Sequence, residues 1–223
     1  MAIMAIYKST VSNLLLQTLS TLMKSAELSH FRVGGGIGLC MHLNHRSTNE
    51  IDLYTDLPFD EAAFQKINSY LIYTFGITEH SKFPVKGKGI AFFIYNLNQD
   101  YVKVELHYNT PIIHPPVTEE DIRFVSTEDT IAMKLESIRA GGTKLDFWDL
   151  HTVMNTYSLM DMLALHEERY VDSHNSEEII RQLQNFERAN DDFQPKCLLR
   201  KNWQLMKLDF LDFARSYELA AEK

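Results

Sequence analysis

Phe31 to Asp56 reads FRVGGGIGLCMHLNHRSTNEIDLYTD. The stretch spells a short strand, a glycine turn, a helix beginning at about Ile37, a basic loop and a second strand. The second strand carries Glu50 and Asp52. Side chains alternate along a strand, so these two carboxylates share a face. Gly34, Gly35 and Gly36 allow a tight turn and let bare backbone N–H groups approach a ligand. The helix that follows favours an anion such as phosphate at its N-terminus. Magnesium takes hard oxygen ligands, typically one or two carboxylates together with substrate phosphates. The combination points to metal-assisted phosphoryl or nucleotidyl transfer. A strand-to-helix turn without a ligand accounts for the glycines equally well; the acids on the next strand favour a ligand site.

Other glycine motifs do not fit. A P-loop needs Lys-Ser/Thr after its second glycine, and none follows here. A dinucleotide fingerprint started at Gly34 or Gly36 reaches Leu39 or Met41 where its third glycine belongs. There is no Gly-x-Ser-x-Gly nucleophile elbow. Cys40, His42 and His45 lie close together but lack the spacing of a zinc site.

The same residues resemble the minimal nucleotidyltransferases of the AbiEii/AbiGii toxin type. That pattern runs from an apolar residue through Gly-Gly-Ser/Thr and a helix to His-Arg-x-Ser-x-Asp-x-Asp. Val33, Gly34 and Gly35 fit its start, His45, Arg46 and Thr48 its basic loop, and Asp52, Leu53 and Tyr54 its acidic strand. Gly36 stands where the family has a hydroxyl residue, and Glu50 where it has the first aspartate. Val102-Lys103-Val104-Glu105 matches the strand that carries a third acid in the family, with Glu for Asp. Lys134-Leu135 and Asp146-Phe147-Trp148-Asp149-Leu150 match its C-terminal helices, with Lys144 one place earlier than the commonest form.

The resemblance implies an α+β protein of the nucleotidyltransferase fold: a small mixed β-sheet flanked by helices, then a helical C-terminal half. It implies a toxin or defence component that transfers a nucleotide from NTP to an RNA, such as tRNA, or to a protein, and that is neutralised by a cognate antitoxin. Glu50, Asp52 and Glu105 would hold Mg2+ or Mn2+, and Gly35 and Gly36 would hold a phosphate. Arg46 and Lys134 or Lys144 would steady the triphosphate, with Asp146 near the site. The alternative is a non-catalytic protein on this fold that acts by binding a partner. Glutamate's extra methylene moves a carboxylate by roughly 1.5 Å, a misplacement of the order that costs ~100-fold in rate.

Composition sets outer bounds. With 22 basic and 30 acidic residues the net charge is −8, unlike a dedicated nucleic-acid binder, although a local basic channel can coexist with an acidic remainder. Two distant cysteines make no disulfide framework, which favours a reducing cytoplasm. No secretory signal is evident, and no run approaches the ~18 apolar residues of a membrane span.

Around the central stretch, Ser9 to Leu28 has helical apolar spacing and packs on the sheet. Asp60 to Phe75 is helical with Gly76 as its C-cap. Ile77 to Val85 reads as an irregular strand. Lys82, Lys86 and Lys88 form either a solvated hairpin edge or a basic rim for phosphates. Ile90 to Asn96 and Tyr101 to Tyr108 read as an antiparallel pair, with Lys103, Glu105 and His107 on the polar face. Glu105 alone reads as a solvated strand residue, and its place after the acidic strand makes it a metal candidate. Thr110 to Val117, with three prolines, reads as a linker. The boundary between residues 1–125 and 126–223 falls near Val125. Beyond it, helices are expected over Ser126–Arg139, from Lys144 through His166, Glu177–Asn190 and Pro195–Ala221. Asp146 and Asp149 then share a helix face, as nucleotide-site residues or as an exposed ion-pairing face.

Overall fold

The computed structural model describes residues 6–78, 82–85 and 89–221. Lys86 and Lys88 of the expected basic rim lie outside them. The chain forms two compact units: one comprises the residues up to His42 and Thr48–Ser126, the other Leu43–Ser47 and Thr127 onward.

The first unit is built on a seven-stranded mixed sheet in the order β3-β4-β5-β2-β1-β7-β6. Its strands are β1 (Arg32–Gly34), β2 (Glu50–Tyr54), β3 (Lys82–Val85), β4 (Gly89–Tyr95), β5 (Tyr101–His107), β6 (Val117–Glu119) and β7 (Ile122–Phe124). Among the described residues, this unit carries the α-helices α1 (Asn13–Lys24), α2 (Gly35–Leu43) and α3 (Glu61–Phe75). Only the last residue of α2, Leu43, falls in the other unit. Ser12 caps α1 by accepting from the Leu15 N–H, and the apolar stripe Leu15, Leu19, Leu22 and Met23 is buried. Asp60 caps α3, and Gly76 ends it in the left-handed conformation at φ 64°. Leu15, Leu19, Val33, Ile51, Leu53, Phe92, Val104 and Phe124 share one core.

β6 and β7 are the fold's departure from expectation. The chain pairs again at Val117, and β7 runs parallel to β1. Glu120 and Asp121 join these strands, both at positive φ. Two three-residue strands around an acidic turn carry too little periodicity to be read from sequence.

The second unit holds α4 (Thr127–Arg139), α5 (Lys144–Val153), α6 (Leu159–Arg169), α7 (Ser176–Leu183), α8 (Glu187–Asp191) and α9 (Trp203–Ala221). The helix expected to run from Lys144 through His166 is interrupted. Ser158 and Asp161 form a capping box that starts α6 afresh. Glu177–Asn190 likewise divides into α7 and α8. Phe147, Phe186, Trp203 and Phe210 pack ring against ring in this core. Among the described residues no helix is long and apolar enough to cross a membrane.

Candidate active site

The glycine turn comes first. β1 passes directly into α2 at Gly35, two residues earlier than the sequence reading places it. Gly35 has φ +62°, and a Cβ there would lie 2.8 Å from Asp52 Oδ2. A side chain would strain the backbone and strike the carboxylate, so glycine is required twice over. At Gly34 a Cβ would meet Tyr54 at 2.8 Å and Val125 at 2.9 Å.

Strand register then brings the acids together. Asp52 of β2 faces Gly34 of β1 on one side and Glu105 of the parallel strand β5 on the other. Facing residues on neighbouring strands hold their side chains close on one face. Ligand atoms of Asp52, Glu105 and His107 lie within 4.8 Å of one another. His107 Nε2 is 3.2 Å from Glu105 Oε2 and 4.0 Å from Asp52 Oδ1. Its ring stacks on Tyr54, centroids 4.5 Å apart.

Lys103 lies 2.5 Å from Glu105 Oε1 and 3.4 Å from Glu50 Oε1. Glu50 therefore stands one strand step away with Lys103 between it and Glu105, and it is not one of the converging group. Two of the three expected acids meet. The third member of the group, His107, shares the polar face of β5 in the sequence but no motif singles it out.

The electrostatics follow from this packing. Burial opposes a charge on His107, yet the Asp52 and Glu105 carboxylates outweigh it and raise the imidazole to about 9. His107 and, against the opposing effect of burial, Lys103 hold the Glu105 carboxyl down at about 2. Glu105 thus remains ionised at neutral pH, and both acids are only part-buried. Two adjacent carboxylates match the oxygen preference of Mg2+ or Mn2+, so the group fits a hard divalent cation.

The other candidates fall in the helical unit. Asp149 has no exposed side-chain surface. It accepts from Arg46 Nε at 2.6 Å, Arg46 Nη2 at 2.8 Å and His45 Nε2 at 2.7 Å. Lys134 Nζ lies 2.9 Å from its second oxygen and 2.8 Å from Asp146 Oδ1. Asp146 also accepts from the Thr143 N–H and hydroxyl in the capping box that starts α5. Burial would discharge Asp149, but Arg46, Lys134 and His45 hold it ionised, well below the usual carboxylate range. Arg46, Lys134 and Asp146 thus form one buried cluster around Asp149. Lys144 is elsewhere: its ammonium donates to the main-chain carbonyls of Asn190 and Asp192, tying α5 to α8.

A sheet that presents a glycine turn and two facing acids defines a nucleotidyltransferase-fold protein, and comparison bears this out. Residues 17–223 match the family described as nucleotidyl transferase AbiEii toxin, type IV toxin-antitoxin system, and the chain belongs to that family. Among solved structures it is similar to the nucleotidyltransferase toxin MenT4 from Mycobacterium tuberculosis, at 14% identity and TM-score 0.56, covering 90% of this chain and 83% of that one. It is also similar to a putative nucleotidyltransferase from Helicobacter pylori, at 15% identity and TM-score 0.53 over 95% and 99% of the two chains. JHP933 from the same species gives 15% identity and TM-score 0.51 over 95% and 98%. No curated protein matches the sequence.

Proposed function

We propose that this toxin-family chain is a cytoplasmic, divalent-metal-dependent nucleotidyltransferase that moves a nucleotide from NTP onto an RNA acceptor and is held in check by a cognate antitoxin. The observation that carries this reading is the facing pair Asp52 and Glu105 beside Gly35. Asp52 and Glu105 would hold Mg2+ or Mn2+, which supplies charge neutralisation at the phosphates. His107, stacked on Tyr54, holds the Glu105 carboxyl ionised and lies beside Asp52. Lys103 sits between Glu50 and Glu105 and fixes their separation. The N–H groups of Gly35 and Gly36, in the first turn of α2, face an anion favourably. In the helical unit Lys134 is held by Asp146 and Asp149, and Arg46 anchors Asp149.

The rival reading, a binding module without transfer activity, draws support from Glu50, whose carboxylate turns to Lys103. The two separate in one assay: protein, Mg2+, labelled NTPs and total RNA. Wild type labels RNA, and Asp52→Ala does not while keeping its melting temperature. If wild type labels nothing with any NTP, yet slows growth when expressed and Asp52→Ala slows it equally, the binding-module reading takes its place.

A further inference from the structure

The sheet face that bears the acids continues into a strip of aromatic rings that nothing above uses. On β4 and β5 the facing pairs run Ala91–Glu105, Phe93–Lys103 and Tyr95–Tyr101. Side chains two residues apart share a face, so Phe93, Tyr95 and Tyr101 extend outward from Glu105 in two successive rows. Phe83 of β3, which faces Ala91, joins them. Ring centroids lie 5.7 Å apart for Phe83–Phe93, 5.7 Å for Phe93–Tyr101 and 6.1 Å for Tyr95–Tyr101. Phe83, Tyr95 and Tyr101 are 49%, 58% and 45% exposed. Water-exposed rings contribute little to a fold, since they forgo the burial that makes aromatics stabilising. Tyr101 also lines an open cleft of about 510 Å³ together with Asn13, Asn49, Asn96 and Gln99.

We propose that this strip, Phe83–Phe93–Tyr95–Tyr101, is a stacking platform for single-stranded RNA that leads the acceptor's end toward Asp52 and Glu105. The proposal rests on the transfer reading above. Three features select this occupant. Exposed rings in adjoining rows of a sheet, inclined to one another at 47°, 59° and 82°, offer separate faces to unpaired bases, which stack on aromatic side chains whatever their sequence. The strip adjoins the acids through the Phe93–Lys103 pair rather than lying on a separate surface. The adjoining cleft carries the side-chain amides of Asn13, Asn49 and Gln99, which offer both donors and acceptors to base edges, beside Asp100.

The test measures fluorescence anisotropy of a labelled single-stranded RNA of about eight nucleotides, a length within the usual range of such sites, titrated with the intact chain without NTP. Wild type binds it more tightly than the same sequence annealed as a duplex, whose bases are hidden. Tyr95→Ala and Tyr101→Ala each weaken single-strand binding by ~10-fold, with unchanged melting temperatures, while Tyr95→Phe and Tyr101→Phe retain it. Asp52→Ala does not weaken it. Equal affinity of the alanine variants and wild type overturns the proposal, as does absence of binding by wild type. Ring removal that leaves RNA affinity unchanged but converts a dimer to a monomer in sedimentation also overturns it and gives the strip to a second copy of the chain. Failure of nucleotide transfer alongside ring-dependent RNA binding overturns the transfer reading and leaves the platform standing.

Discussion

The sheet unit and the helical unit each gather charges, and they do so in opposite ways. On the sheet, Asp52, Glu105 and His107 retain 18%, 15% and 21% of their side-chain surface. In the helical unit, one wholly buried carboxylate, Asp149, receives the Nε–Nη2 edge of Arg46 together with His45 and Lys134. A charge taken fully out of water must be satisfied internally, and breaking such a set leaves uncompensated charge in a low dielectric. A charge left partly in water has less to lose and stays available to a ligand. The wholly buried arrangement stabilises a fold; the part-exposed one leaves its acids open to a ligand.

The largest effect should come from breaking the buried set. Asp149→Ala removes the buried carboxylate shared by Arg46, His45 and Lys134, leaves Lys134 with Asp146 alone, and should cost ~3–5 kcal/mol, read as a shift in the urea midpoint. A loss below about 1 kcal/mol would mean that water reaches the cluster and the contrast is false. Next comes Gly35→Ala, on the sheet. Its φ of +62° and a Cβ 2.8 Å from Asp52 Oδ2 predict ~1–3 kcal/mol of strain. Displacing Asp52 should also lower transfer by ~100-fold, so activity falls far more than stability. Equal falls in both would place Gly35 in the fold alone.

The difference between the regions explains what the sequence discloses. The glycine turn, the Glu50–Tyr54 strand, the β4–β5 pair and the Asp60-to-Gly76 helix all have local signals, and the structure shows them at nearly the expected bounds. Asp52 and Glu105 are legible because strand alternation and a family motif mark them. That they face each other depends on β2 pairing parallel with β5, a contact between segments some fifty residues apart. His107 is missed because a histidine two places along a polar strand face is ordinary. Lys144 stands one place off the family position, and Asn190 and Asp192 supply it with carbonyls that no local pattern announces. The break before α6 has a signal at Ser158 that apolar periodicity outweighs, whereas α8 starts after Phe186 with no side-chain cap to announce it.

Acidity should separate His107 in sign from the buried histidines of the helical unit. Burial lowers His45, His151 and His166 of the helical unit below the ordinary 6.5, despite acidic partners. The unfolded chain then takes up protons that the fold refuses, so stability falls as pH drops through 6.5. His107 on the sheet is raised to about 9; its contribution is complete below 6.5 and is lost as pH rises toward 9. Both tryptophans, Trp148 and Trp203, lie in the helical unit. Tryptophan fluorescence melts should therefore show a lower midpoint at pH 5.5 than at pH 7.5, two values chosen about one unit either side of the histidine range. An unchanged midpoint would show these histidines to be solvated. The smallest effect is Thr143→Ala, which removes half of the α5 capping box. It should cost ~1 kcal/mol by chemical denaturation; a much larger loss would tie the cap to the Asp149 set.

The account stands most directly on where a divalent cation binds. Mn2+ titration followed by electron paramagnetic resonance reads this without any need for turnover. Wild type should bind Mn2+, and Asp52→Ala and Glu105→Gln should each weaken it by more than ~10-fold, while Glu50→Gln changes it by less than that. Unaltered Mn2+ affinity in Asp52→Ala, or a greater loss in Glu50→Gln than in Glu105→Gln, would contradict the assignment of the sheet acids as the working site.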